Sequence, residues 1–94
     1  MILPSTRLSP TDHVFAREFD GELVLLDLNG GVYYGLDAVA SHVWKAWCEG
    51  GGTLEEVTSD MLAKYDVDEV TLVKDIGALA TDWVAKGLVE QVTG

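Results

Sequence analysis

The sequence predicts an α+β domain: a three-stranded antiparallel meander followed by three helices, in a winged-helix-like arrangement. Three observations carry this. Two tight-turn signals, Asp20-Gly21 and Asn29-Gly30-Gly31, separate three short strand-like runs at the front of the chain. Helical apolar periodicity begins only after Asp37. Cap and stop signals then divide the rest of the chain into three helices.

Residues 1–12 carry both prolines, Pro4 and Pro10, and read as an extended arm. The first strand is expected at about His13–Arg17 and the second at about Leu23–Asp27. Leu23-Val24-Leu25-Leu26 is continuously apolar, which predicts a central strand covered on both sides. In the third run, Val32, Tyr34 and Leu36 point one way, Tyr33 and Gly35 the other. Both turns supply the positive φ of a hairpin. Two successive hairpins leave the third strand, Val32-Tyr33-Tyr34-Gly35-Leu36, at an edge with unpaired backbone groups. An open edge invites pairing with another chain unless something is meant to occupy it.

Asp37 is placed to cap a first helix running to about Glu49, with Val39, Ala40, Val43, Trp44 and Trp47 on one broad face. Gly50-Gly51-Gly52 ends it. Thr53-Leu54-Glu55-Glu56 is a capping box opening a second helix, whose stripe is Leu54, Val57, Met61, Leu62 and Tyr65. Asp66-Val67-Asp68 reads as a turn and cap before a third helix, about Glu69–Lys86, closed by Gly87. Leu88-Val89-Glu90 fits a short extra strand. The third helix carries two adjacent apolar stripes, Leu72/Ile76/Leu79/Trp83 and Val73/Gly77/Ala80/Val84. Either the helix packs on two sides, or one edge of the arc lines a groove beside the open strand. Gly77 weakens a helix interior by about 1 kcal/mol relative to Ala, a cost that close approach of another backbone would explain.

Ninety-four residues make one domain, 1–94, with a thin core and little room for a deep active site. Sixteen acidic against six basic residues give a net charge of −10. That charge repels nucleic acid and anionic membrane surfaces and is compatible with a basic partner. Cys48 is the single cysteine, so no internal disulfide forms. The N-terminal run Met1–Arg7 holds no apolar stretch of signal-peptide length, and no segment is long enough to span a membrane. A cytoplasmic location is expected.

No catalytic constellation is visible. His13 and His42 stand apart in sequence, and no Cys/His or His/carboxylate spacing matches a metal site. Asp66-x-Asp68-Glu69 is too short for a calcium loop. Asn29-Gly30-Gly31 lacks the following Lys-Ser/Thr of a phosphate loop. Cys48 reads as an inert thiol. No cofactor or metal is expected, and no enzymatic activity.

At this point the chain resembles a known family. Tyr34-x-Leu36-Asp37, Val43-Trp44, Gly51/Gly52, Glu56-Val57, Leu62, Tyr65-x-Val67-Asp68, Asp75-Ile76, Leu79 and Gly87-Leu88-Val89 are similar, in order and spacing, to the PqqD-like proteins. These are leader-recognition elements of ribosomally made, modified peptides. The resemblance spans roughly residues 13–90. Leu25-Leu26-Asp27-Leu28-x-x-Gly31-x-Tyr33-Tyr34-x-Leu36-Asp37 is most like the stand-alone members of lasso-peptide pathways. Ala40 departs from the pattern, since the family often has Gly there.

The resemblance implies that a precursor's leader peptide pairs with the third strand and packs on the third helix. Val32, Tyr33, Tyr34, Gly35 and Leu36 would supply the strand. Tyr33, Ile76, Leu79 and Trp83 would form apolar pockets, and Asp75 and Asp82 would attract basic leader residues. The implied partners are the leader and a separate leader peptidase, or a radical SAM enzyme if the pathway is that of pyrroloquinoline quinone. Two other classes remain open from the residues. A winged-helix DNA-binding regulator would want more cations on the third helix than Lys74 and Lys86. A homodimer could use the same open edge.

Overall fold

The computed structural model describes residues 3–92. Three strands, β2 (Val14–Phe19), β3 (Glu22–Asp27) and β4 (Val32–Gly35), form an antiparallel sheet in the order β2-β3-β4. A separate pair joins β1 (Arg7–Pro10) to β5 (Val89–Val92). Between β4 and β5 lie α1 (Ala38–Val43), which runs into a π-helical turn at Trp44–Glu49, then α2 (Leu54–Lys64) and α3 (Glu69–Ala85). The meander followed by helices is the α+β architecture expected from the sequence.

The first hairpin turns through Asp20 and Gly21, both at positive φ, 52° and 83°. That pattern matches the twist of the flanking strands. The second turn is held by the Asp27 carboxylate, which accepts from the backbone N–H of Asn29 and Gly30 at 3.0 Å and 3.3 Å. Asp37 and Asp68 cap α1 and α3, and the Thr53/Glu56 capping box is complete. The Thr53 backbone N–H bonded to Glu56 holds that carboxyl below its usual range.

Two elements depart from the sequence expectation. The arm expected over residues 1–12 contains β1; its first two residues lie outside the described ones. Leu8 is 2% exposed, and the carbonyls of Thr6 and Pro4 receive the first free N–H groups of α2, Leu54 and Glu55, at 3.1 Å and 3.0 Å. Helix ends need such acceptors, and here a distant segment supplies them. The expected single helix over Asp37–Glu49 widens at Trp44, so that Gly50 N–H bonds to Lys45 O at 2.8 Å. The widened turn folds back so closely that a Cβ at Gly50 would lie 2.7 Å from Ala46 O.

The helices cover one face of the sheet. Leu23 and Leu25 of β3 are buried at 4% and 0%, against Val43, Trp44, Trp47, Ile76 and Trp83. Trp44 and Trp83 meet edge to face, with centroids 5.2 Å apart at 81°. The other face is open, which corrects the expectation of a β3 covered on both sides. Phe15, Leu26 and Tyr33 stand in one cross-strand row there, beside Val24, Arg17 and Phe19. Phe19 and Tyr33 are 62% and 72% exposed.

On α3, Leu72, Ile76, Ala80 and Trp83 face the core, while Val70 and Val73 are exposed. Gly77 has no close neighbour: a Cβ built on it meets nothing within 4 Å. No backbone of the described residues makes the close approach that would account for Gly77. Gly77→Ala is therefore predicted to stabilise the domain by about 1 kcal/mol, the helix-propensity difference with no steric penalty. Urea unfolding measures this; a loss of stability would mean that the open space is needed.

Candidate functional site

β4 is an edge strand, paired with β3 on one side only. Leu36 N–H bonds inward to Leu23 O at 2.8 Å. Antiparallel alternation then turns Tyr34 inward as well, and leaves the N–H and C=O of Tyr33 and Gly35 directed at the open edge. Beyond that edge lies α3, and between them runs a groove.

Two clefts of about 440 Å³ and 470 Å³ make up the groove and share Asp37, Ala40, Leu79 and Asp82. The inward ring of Tyr34, with Leu36, forms the strand wall, and Trp83 and Leu88 lie at the floor. Along α3 the lining residues are Asp75, Leu79, Asp82 and Lys86, a stripe at helical spacing. Ala40 and Val39 of α1 close the far end. Lys86 Nζ lies 4.8 Å over the Tyr34 ring and 2.8 Å from Asp82 Oδ2.

The residues singled out in the sequence divide accordingly. Val32 and Tyr33 lie on β4, whose last residue is Gly35; Leu36 follows it. Leu79, Asp75, Asp82 and Trp83 border the groove, Trp83 with only 2% exposure. Tyr33 lines the groove beside Tyr34 and also borders the outer sheet face. Strand parity sets its ring on the outer face opposite Leu26 and turns the Tyr34 ring to the helix side. Ile76 forms no groove wall; at 1% exposure it is a core residue beneath. Asp82 is already paired with Lys86, whereas Asp75 forms no ion pair among the described residues. Lys86, Asp37 and Ala40 were missed as lining residues. The spacing Asp75/Leu79/Asp82/Lys86 was the available signal for Lys86.

Another cleft, about 520 Å³, lies on the other flank of α1. There His42 Nε2 and Asp60 Oδ2 are 2.8 Å apart, with Lys64 Nζ at 3.6 Å from the same oxygen. The hydrogen bond with His42 is the main cause holding the Asp60 carboxyl below its usual range. This cluster ties α1 to α2. Cys48 is buried, and burial pushes its thiol pKa far up, so the thiolate is not available.

The fold and groove define a small winged-helix-like α+β domain with an unfilled sheet edge. The chain belongs to the PqqD family: the family profile, described as coenzyme PQQ synthesis protein D, matches residues 22–89. Among solved structures, the chain is similar to TbiB1 in complex with the TbiA(beta) leader peptide. The two share 35% identity over 92% of this chain and 99% of that one, with a TM-score of 0.83. It has the same fold as a lasso peptide synthetase B1 complexed with its leader peptide, at 24% identity, 92% and 98% coverage and a TM-score of 0.79. No curated protein matches the chain.

Gly35 offers a clean test of the edge. Its N–H lies outside the β3–β4 ladder, and a Cβ there meets nothing within 4 Å. Gly35→Pro is predicted to leave the circular dichroism spectrum unchanged. It should weaken an extended peptide added to β4 by about tenfold, the scale of one lost hydrogen bond plus the blocked edge. Gly35→Ala should bind as the wild type does. A folded proline variant with full affinity would place the peptide elsewhere.

Proposed function

We propose that this chain is a non-catalytic adaptor of lasso-peptide biosynthesis. It binds the leader segment of a precursor by strand addition to β4, then delivers it to a processing peptidase in the cytoplasm. One observation carries the reading: the outward backbone groups of Tyr33 and Gly35 face a groove walled by α3, with nothing paired to them. Strand addition divides recognition in two. Backbone bonds supply affinity, and alternate side chains of the added strand enter pockets that supply specificity. The similarity to TbiB1, which was solved with a leader peptide, supports the leader as occupant.

Delivery needs a second surface, and the outer sheet face supports that role. Phe15, Phe19, Leu26 and Tyr33 form an apolar patch on the outer sheet face that meets the edge strand at Tyr33. Uncovered apolar patches of this kind mark contacts with other proteins. A net charge of −10 opposes pairing with a second copy, so the patch favours the peptidase. Tethering the leader to an adaptor that touches the peptidase raises the substrate's effective concentration without chemistry in this chain. The family description, coenzyme PQQ synthesis, supports a second reading with a radical SAM enzyme as partner. The 35% identity to TbiB1 favours the lasso reading.

Calorimetry with the synthetic cognate leader tests the adaptor role. Binding with a Kd of about 1 μM or tighter is expected, with no change in the peptide's mass after incubation. Phe19→Glu should keep that affinity and abolish the adaptor's stimulation of leader cleavage by the peptidase. Heat-silent mixing, confirmed by an unchanged tryptophan emission, contradicts the reading.

Asp75 carries the electrostatic part. With Asp37 it makes one end of the groove acidic. For a basic leader, Asp75→Lys is predicted to slow association at low salt and to leave dissociation nearly unchanged, because exposed charges act on encounter and are screened. Stopped-flow rates at two ionic strengths read this. An association rate insensitive to the reversal at low salt would remove Asp75 from the site.

A further inference from the structure

Ser41 sits in α1, yet its hydroxyl belongs to the sheet. Extending the β3–β4 register by one residue sets Leu23 opposite Leu36. A hydrogen-bonded antiparallel pair exchanges two bonds. One is present: Leu36 N–H to Leu23 O at 2.8 Å. The return bond is replaced. Leu23 N–H donates to Ser41 Oγ at 2.8 Å, and Ser41 Oγ donates to Leu36 O at 3.2 Å. A hydroxyl has one donor and two acceptor sites, so a single oxygen satisfies both backbone groups. Ser41 is 2% exposed, and no buried side-chain polar atom among the described residues lacks a partner.

The insertion has a geometric consequence. An oxygen wedged into the last rung holds the Leu36 carbonyl away from β3. The chain therefore peels off the sheet directly after Gly35 and turns through Leu36 and Asp37 into α1. Leu36, Asp37 and Ala40 all line the groove. Gly35, whose backbone groups point at the open edge, is the residue next to the splayed rung. Without the hydroxyl, Leu23 N–H and Leu36 C=O have two courses. They remain buried and unpaired, or they bond directly. Direct bonding draws the end of β4 onto β3 and away from α3, which widens the groove.

We infer that Ser41 is a positioning residue for peptide recognition: its hydroxyl splices α1 into the β3–β4 ladder and sets the angle at which the β4 edge faces α3. The inference rests on the adaptor reading and assigns a determinant of that site. Ser41 touches no peptide; it acts through Leu36 and Gly35. It also explains why a buried serine is placed where an alanine would fit the helix equally well.

Ser41→Ala is compared with Val57→Ala, a core truncation in α2 away from the groove, for leader affinity by calorimetry and for stability by urea unfolding. The probe is the same synthetic leader peptide used in the calorimetry above. Both variants lose stability. Ser41→Ala is expected to raise the leader Kd about tenfold, the consequence of one misplaced hydrogen bond, whereas Val57→Ala stays within about twofold of wild type. In the wild type, leader addition should also shift the Leu23 amide and Leu36 carbonyl resonances, although Leu23 is buried on β3. That measurement decides the matter if Ser41→Ala does not fold. Wild-type affinity in a folded Ser41→Ala, or unmoved Leu23 and Leu36 resonances, would overturn the inference. A wild-type chain that binds no leader would instead contradict the adaptor reading, and so is told apart from failure of the splice.

Discussion

The edge-to-face contact of Trp44 with Trp83 is the interaction on which the groove depends. A three-stranded sheet of short strands does not hold its shape alone in water; it needs a layer packed on one face. Here Trp44, at the end of α1, and Trp83, in the last turns of α3, lock the two helices together above Leu25. The indoles are 1% and 2% exposed, so the contact forms only when both helices are seated. Each indole brings a large apolar area and a geometric preference that resists sliding. Because α3 is fixed there, Leu79, Asp82 and Lys86 stand at a set distance from β4. The groove is the space left between a strand that ends the sheet and a helix that cannot approach it further.

Backbone accounting explains the rest. Several ends in this domain are satisfied from far away in sequence. Thr11 Oγ1 donates to Gly87 O at 2.9 Å, and Thr6 O accepts from both Leu54 N–H and the Trp47 indole. Ser41 closes the end of the main ladder. The exceptions are the outward groups of Tyr33 and Gly35, which stay uncapped, as do those along the outer edge of β2. Of the two edges, the β4 edge is the one that faces the groove beside α3. The outer sheet face is the second exception, an apolar surface without a covering layer. The two meet at Tyr33, which contributes its backbone to the edge and its ring to the patch.

The local signals in the sequence were legible. Asp20-Gly21, the Asp37 and Asp68 caps and the Thr53/Glu56 box each act within a few residues, and each is found where the residues place it. The long-range features were not. Nothing in Arg7–Pro10 names Val89–Val92 as its partner, because pairing depends on where both ends are brought by the core. The direction of the Tyr33 ring was hidden for a different reason. The alternation was stated correctly, but strand parity does not say which face meets the helices when both faces are apolar. The continuous Leu23–Leu26 run made that ambiguity unavoidable. Ile76 shared a stripe with Leu79, yet the roughly 60° around the helix axis between i and i+3 separates core from groove wall. Ser41 carried no signal at all: a mid-helix serine reads as neutral until the ladder beside it is seen.

Amide hydrogen exchange along β4, with and without the leader, tests the central claim most directly. The Tyr33 and Gly35 amides should exchange rapidly in the free chain, while Tyr34 and Leu36, bonded to β3, are already protected. Leader binding should protect Tyr33 and Gly35 alone among these four. Protection of Tyr33 and Gly35 in the free chain, or rapid exchange that leader binding leaves unchanged, would contradict the account.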